Sequence, residues 1–428
     1  MTKRQSNALM FMCWLLYVSA YLGRYSYNSN QLPISLFYKT TDTEVALATS
    51  FFFFAYGAGQ IINGILCRYY NVKYVLSGSL IVSSVLNLAV FLGLPFTLIK
   101  FAWLLNGVAQ SVLWSSLLMT LSKNLDGNYI KTSIIVMSTT ASIGTLLAYG
   151  LSALFALFDG FKFSFLTGAV LMTVSAIIWF FVYDKITIKK ENIVEEIKEE
   201  KPTEVKTKKK MHPAVLYTFI VFGIFAVIIN LMKDGLTSWV PKIMFDQFGL
   251  DESLSILVTL LLPVLTVFGT TFVVTLNKKI KEHTALMAVV FTLACVMTAV
   301  VILLFDTSLW VVVLVALALT SLLMSGANNI VTSMIPLELR DKENSGFVGG
   351  ILNGCCYVGS TLSSIVLGAM SDAYGWKPAF TLFLALCIVV VLIAVSCAVV
   401  SFVKKKNGIK LAGVEKSLDP DTDTEETL

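Results

Sequence analysis

Long stretches without charged residues alternate with short charged segments along the chain. Eleven stretches of at least 21 residues lack Asp, Glu, Lys and Arg, and they cover 45–67, 74–99, 101–122, 132–158, 163–183, 211–232, 253–277, 284–305, 307–337, 344–371 and 378–403. A twelfth, 5–38, is interrupted by Arg24 alone. A helix needs about 20 apolar residues to cross a bilayer, and its backbone satisfies its own hydrogen bonds there. The pattern therefore predicts twelve transmembrane helices.

Composition agrees with this pattern and divides the chain. Of the 428 residues, 56% are hydrophobic and 14% are charged, against about 25% charged in soluble proteins. The segments 185–212 and 404–428 hold 26 of the 59 charged side chains. We therefore predict an all-α membrane protein with a six-helix bundle at 1–184, a charged linker at 185–212, a second bundle at 213–403 and a tail at 404–428.

The distribution of basic residues predicts the orientation in the membrane. Of the 32 Lys and Arg residues, 25 lie on the side that carries the N-terminus and alternate connections, and five lie on the opposite side. Because short cytoplasmic loops are rich in Lys and Arg, both termini are predicted to be cytoplasmic, in a plasma (inner) membrane. Lys3 and Arg4 before an apolar stretch imitate a signal peptide, but apolar character continues to Leu36, so we expect no cleavage.

Several functional classes find no support in the sequence. The seven cysteines form no C-x-x-C pair and lie in or beside apolar runs, where we interpret them as packing residues. Neither a nucleophile–base constellation nor a phosphate-binding Gly-x-x-x-x-Gly-Lys loop is present. Basic residues do not interleave with aromatic ones as in nucleic-acid-binding surfaces. We therefore expect no enzymatic activity, no cofactor and no nucleic-acid partner. We expect the protein to be a monomer in the lipid bilayer.

The two halves of the chain resemble each other at an offset of 215 residues. Residues 160–165, 143–145 and Asp126 align in order with 375–380, 358–360 and Asp341. Such a duplication predicts two bundles related by a pseudo-twofold axis along the membrane normal, with substrate bound at their interface.

Each half carries one lone cation deep in its first helix. Arg24 and Lys233 lie nine and eight residues before a proline, too far from a cytoplasmic end to reach water easily. A buried charge costs several kcal/mol, so its default interpretation is functional. The one acid inside any span, Asp234, cannot neutralise both cations. Adjacent helix positions are about 100° apart, so we expect its carboxylate to point away from Lys233.

A positive interface predicts an anionic substrate. Arg24 offers a planar fork of donors and Lys233 a compact charge, which suits phosphate or carboxylate. Helix phase places further polar side chains on the faces of these cations, namely Tyr17, Tyr21, Asn28, Asn230 and Thr237. With only Asp234 available for coupling, exchange of one anion for another is favoured over cation symport.

These residues carry a resemblance to the major facilitator superfamily, and within it to the organophosphate:phosphate antiporters of glycerol phosphate and hexose phosphate. The matching segments are 21–24, 233–241, 337–346, 357–359 and 372–376. The resemblance implies that Arg24 and Lys233 bind phosphate from the first and seventh spans, and that Tyr357 lines the pocket from the eleventh.

The chain departs from that family at several pocket positions. Lys233 replaces a common arginine, and Ala141 and Met137 stand where a histidine and a tryptophan are expected. Gln110, near the place of a fourth-span tryptophan, joins the candidate binding residues, and Gln60 lies near the place of a lysine. Cys67 replaces a common aspartate between spans two and three. The identity of the organic group stays open.

Three functions remain in competition. The first is a secondary transporter that exchanges an organophosphate for inorganic phosphate by alternating access. The second has the same fold but moves an organic carboxylate together with a cation. The third is a transporter-like membrane sensor that binds a sugar phosphate without moving it.

Overall fold

The computed structural model describes residues 2–67, 69–125, 127–187, 213–339 and 345–406. The predicted linker, apart from residues 185–187, lies outside the described residues, as do the tail beyond Lys406 and the repeat pair Asp126 and Asp341. The described part is helical and contains no strand. Twelve of its segments are long and apolar enough to cross a membrane, which confirms the predicted fold class.

The first half contributes six spans. They are span 1 (Lys3–Ser29), span 2 (Asp42–Leu66), span 3 (Val72–Phe91), span 4 (Phe96–Gln110 followed by Leu113–Asn124), span 5 (Gly127–Ala156) and span 6 (Lys162–Ile186). A short helix, Gln31–Tyr38, joins spans 1 and 2.

The second half repeats this arrangement. It contains span 7 (Pro213–Phe248), span 8 (Glu252–Thr259 followed by Leu261–Lys279), span 9 (His283–Leu304), span 10 (Trp310–Asn329 with a π-helical turn Ile330–Met334 and a last turn Ile335–Glu338), span 11 (Ser345–Tyr374) and span 12 (Lys377–Lys406). Span 8 breaks at Leu260, just before Pro263, whose missing N–H cannot continue the helical ladder.

Local sequence sets where the spans begin. Thr41 caps span 2 by accepting a hydrogen bond from the Glu44 N–H, and Asp251 caps span 8 through the Leu254 N–H. These side chains satisfy amide groups that a helix leaves unpaired at its N-terminus. Each capping residue directly precedes its helix, so polar caps mark the ends of the apolar runs.

Each half has its own apolar core and an apolar exterior. One large cluster of buried side chains belongs to the second half with a single outside member, Ala46, and two further clusters lie within residues 9–186. Large apolar side chains also point outwards, including Phe181 (68% exposed) and Leu303 (77% exposed). Exposed apolar surface of this extent is what a lipid-facing exterior requires.

The far end, defined as the end of the bundle opposite to the described chain ends at residues 2 and 406, joins the two halves through polar contacts. Lys242 Nζ of span 7 lies 3.5 Å from Asp42 Oδ1 of span 2 and 3.0 Å from Asp246 Oδ2 of its own helix. The Asp372 carboxylate of span 11 accepts hydrogen bonds from the backbone N–H groups of Asp42 (3.0 Å) and Thr43 (2.8 Å). Span 11 therefore caps the N-terminus of a helix in the other half.

Spans 2 and 11 stay in contact along their length. Ser50 donates to the Thr361 carbonyl (3.0 Å), and nearer the other end Asn353 donates to Gln60 Oε1 (2.8 Å). Spans 5 and 8 meet at the far end, where Ser253 donates to the Ala153 carbonyl (2.9 Å).

A glycine of span 11 allows its close packing on span 7. A Cβ on Gly359 would lie 2.1 Å from the Val227 carbonyl oxygen, whereas a Cβ on Gly350 would meet nothing within 4 Å. Only the first of these two glycines is needed for helix approach.

Gly359→Ala should therefore lower the free energy of unfolding by at least about 2 kcal/mol, because the methyl group must displace backbone. The matched control Gly350→Ala, on the same helix, should be neutral or stabilising, since alanine favours the helix by up to about 1 kcal/mol. Thermal unfolding of the purified variants measures both. Equal effects of the two substitutions would contradict the packing described.

Asp372→Ala should lower the free energy of unfolding by about 1 kcal/mol, because two N-terminal amide groups of span 2 lose their acceptor. The control is Asp306→Ala, which removes a carboxylate from an exposed pair with Lys377 and should cost about 0.5 kcal/mol or less. Thermal unfolding in detergent compares the two variants. Equal losses of stability would show that the Asp372 cap does not stabilise the protein.

Candidate functional site

Arg24 is buried in span 1 and is supported by uncharged groups. The residue is 3% exposed, and its Nε and Nη2 both donate to Gln110 Oε1 at 3.2 Å. The guanidinium carbon lies 4.2 Å from the ring centre of Tyr56, 4.7 Å from that of Tyr21 and 5.0 Å from that of Phe52. Cation–π contacts and an amide oxygen stabilise the guanidinium without neutralising it. Its charge is therefore not paired with a carboxylate among the described residues.

Gln110 owes its position to the break in span 4. It is the last residue of the helix Phe96–Gln110, and its Nε2 donates to Asn106 Oδ1 (3.2 Å), which leaves Oε1 for Arg24. Ser111, the next residue, accepts a hydrogen bond from Asn63 of span 2 (2.9 Å). Span 2 can approach so closely because Gly59 has no Cβ. A Cβ at this position would lie only 2.3 Å from Ser111 Oγ.

Lys233 of span 7 is held by polar groups of its own half. Its Nζ donates to Asn230 Oδ1 (3.0 Å) and lies 3.4 Å from Asp234 Oδ1. Asn230 in turn donates to Asn328 Oδ1 of span 10 (2.8 Å). The Lys233 side chain is 24% exposed, so it is more accessible than Arg24.

The prediction that the Asp234 carboxylate points away from Lys233 is wrong. Although neighbouring positions differ by about 100° around a helix, the flexible four-carbon stem of Lys233 brings its ammonium group back to the carboxylate of the next residue. The second carboxylate oxygen, Oδ2, accepts a short hydrogen bond from the Ser360 hydroxyl of span 11. Asp234 is thus fixed beside Lys233.

Spans 1 and 7 meet between the halves, and each carries one of the two cations. Tyr21, one turn before Arg24, lies within electrostatic range of both Arg24 and Lys233. Its ring stacks on Tyr25 at 5.7 Å, and Tyr25 lies within electrostatic range of Asp234. Span 1 therefore presents an aromatic face to the charged groups of span 7.

The other candidate residues take different places around this site. Tyr357 of span 11 crosses to the first half, where its ring centre lies 5.0 Å from that of Tyr56, so it stands on the Arg24 side. Asn28 donates to the Ser238 hydroxyl of the other half (2.7 Å), which makes it a contact between spans 1 and 7. Asn230 supports Lys233, as described above.

The remaining positions discussed in the sequence analysis contact neighbouring side chains or their own helix. The Tyr17 and Tyr56 hydroxyl groups lie 3.2 Å apart, and Gln60 donates to the Tyr56 hydroxyl (2.7 Å). The Thr237 hydroxyl donates to the Lys233 carbonyl (2.9 Å) and so turns back onto its own helix. Met137 is buried in the core of the first half.

Sequence reasoning missed several residues that surround the cations. Phe52 and Tyr56 contact Arg24, Asn328 extends the Lys233 network, and Ser360 binds Asp234. Phe52, Tyr56 and Gln60 recur every four residues on one helix, but core packing uses the same spacing, so this signal alone does not indicate a site.

Comparison with known proteins supports the fold. The chain is similar to a bacterial homologue of the human lysosomal transporter Spinster (14% identity, 95% of this chain and 98% of that one, TM-score 0.66). It is similar to the nucleoside transporter NupG (13% identity, 91% and 99% coverage, TM-score 0.69) and to a D-xylose–proton symporter (13% identity, 92% and 97% coverage, TM-score 0.67). No curated protein sequence matches the chain.

The sequence model of the Major Facilitator Superfamily matches residues 13–342, which is more than three quarters of the chain. This match agrees with twelve membrane-spanning helices and with the transporter folds above, and it indicates a multi-pass membrane transporter that works by alternating access rather than an enzyme. The chain belongs to the major facilitator superfamily.

Proposed function

We propose that this transporter moves a small organic phosphate in exchange for inorganic phosphate. The observation that supports it best is a pair of cations on contacting spans, Arg24 in the first half and Lys233 in the second, with one carboxylate, Asp234, beside Lys233. A phosphate group can accept from the guanidinium fork and the ammonium group together. A ligand that binds both halves at once is the kind of ligand that alternating access requires.

The support around Arg24 favours a phosphate over a neutral cargo. Gln110 and three aromatic rings hold the guanidinium group in place without cancelling its charge. Tyr21 and Tyr357 contribute aromatic surface and hydroxyl groups to the remainder of a polar substrate. We further propose that the protein acts as a monomer in a plasma (inner) membrane with both termini in the cytoplasm, since basic residues concentrate on that side.

A second candidate, cation-coupled uptake of an organic carboxylate, is favoured by one observation. Asp234 is a buried carboxylate, 6% exposed, that contacts a candidate ligand-binding cation. Such a group can bind a proton or a metal cation during transport. Uptake that needs an imposed proton or sodium gradient, without phosphate countertransport, would favour this candidate over exchange.

Arg24→Ala and Lys233→Ala should each reduce the exchange of external labelled phosphate for internal phosphate in proteoliposomes by at least about 30-fold. Removing one buried charged partner of a ligand costs about 2 kcal/mol or more. The control is Lys377→Ala, which removes a cation from an exposed pair at the far end and should leave exchange unchanged. Normal exchange in either pocket variant, at wild-type levels of purified protein, would remove the basis of the proposal.

Gln110→Glu should weaken phosphate binding more than Gln110→Leu does. The glutamate places a carboxylate about where Oε1 now lies, 3.2 Å from two guanidinium nitrogens, so Arg24 would be neutralised from within. We expect a loss of binding of at least about tenfold for the glutamate variant, whereas the leucine variant removes only neutral support. Isothermal titration with phosphate measures both, and unchanged affinity of the glutamate variant would show that Arg24 does not bind the anion.

A further inference from the structure

The charges of the site do not balance in the absence of cargo. Arg24 has no carboxylate partner among the residues that the structure describes, and Lys233 shares Asp234. Two cations and one carboxylate leave one net positive charge at the interface. In surroundings of low polarity, an unpaired charge costs several kcal/mol, so the site favours a ligand that restores neutrality.

Asp234 is fixed in this site from two directions. Oδ1 faces Lys233 Nζ at 3.4 Å, and Oδ2 accepts the hydroxyl of Ser360, which is itself 1% exposed. Span 11 can pack closely on span 7 because Gly359 has no side chain to clash with the Val227 backbone. The carboxylate is therefore held at the position from which it compensates Lys233.

The other titratable side chains near Asp234 belong to tyrosines and a cysteine, which are uncharged at neutral pH. They come from three packed elements: Tyr25 on span 1, Tyr149 on span 5 and Cys356 on span 11. Lys233 is the charged group that faces the carboxylate from its own helix. Among the residues that the structure describes, Arg24, Lys233 and Asp234 thus set the net charge of the site.

We propose that Asp234 is a fixed counter-charge that sets the charge of the cargo, so that the site accepts one net negative charge. This inference rests on the proposed function, because it concerns the phosphate group that the two cations bind. A phosphomonoester then binds as its monoanion, or as its dianion together with one proton from solution. Without Asp234 the same site carries two positive charges and accepts the dianion alone.

The test measures the affinity for glycerol 3-phosphate between about pH 6 and about pH 8.5 by isothermal titration of the full chain. A phosphomonoester loses its second proton near about pH 6. Wild-type affinity should fall as the pH rises above that value, by up to about tenfold per pH unit, because binding takes up one proton. Asp234→Asn should show the opposite trend, with affinity that rises to about pH 7 and then stays level.

At about pH 8.5 the Asp234→Asn variant should bind at least about tenfold more tightly than wild type, and Asp306→Asn, which changes an exposed acid of another lysine pair, should behave as wild type. The wild-type trend tests the inference even if the variant does not fold. Affinity in wild type that increases with pH, or identical trends in wild type and variant, overturns the role of Asp234 while the proposed function stands. Absence of glycerol 3-phosphate and phosphate binding at every pH overturns the proposed function, and this inference with it.

Discussion

The cost of burying a guanidinium group in a membrane protein governs this structure. Arg24 is 3% exposed, and its described hydrogen bonds go to one neutral amide, while three aromatic rings surround it. A carboxylate partner would have lowered that cost further but would also have removed the attraction for a ligand. The structure instead holds a buried guanidinium group that has no carboxylate partner among the described residues. Span 4, span 2 and the tyrosines supply the neutral contacts of this group.

The two halves hold their buried cations in similar but unequal ways. Each places a cation on its first span and an amide side chain on its fourth, namely Gln110 in span 4 and Asn328, acting through Asn230, in span 10. Both fourth spans are irregular close to these amides, one by the break after Gln110 and the other by the π-helical turn at Ile330–Met334. Within the described part of the chain, only the second half adds a carboxylate beside its cation. The two cations are thus unequal, because Asp234 partly compensates Lys233 while Arg24 has no carboxylate partner among the described residues.

The sequence predicted much of the fold because membrane helices follow a simple physical rule. Charge-free runs of sufficient length correspond to spans, and lone cations such as Arg24 stand out against them. The direction of the Asp234 carboxylate could not be obtained in this way, since it depends on a flexible lysine stem and on Ser360, 126 positions away. The aromatic support by Phe52 and Tyr56 was equally hidden, because their spacing is the same as that of ordinary packing residues. Long-range contacts between spans determine these details, and local periodicity does not encode them.

The contact of Asp372 with the first turn of span 2 has a consequence for dynamics. A helix end normally receives its cap from residues beside it in sequence, but here the acceptor of two amide groups belongs to the opposite half of the molecule. Any separation of the halves at the far end must leave those amides to solvent. Hydrogen exchange at the amides of Asp42 and Thr43 therefore reports how often that end opens.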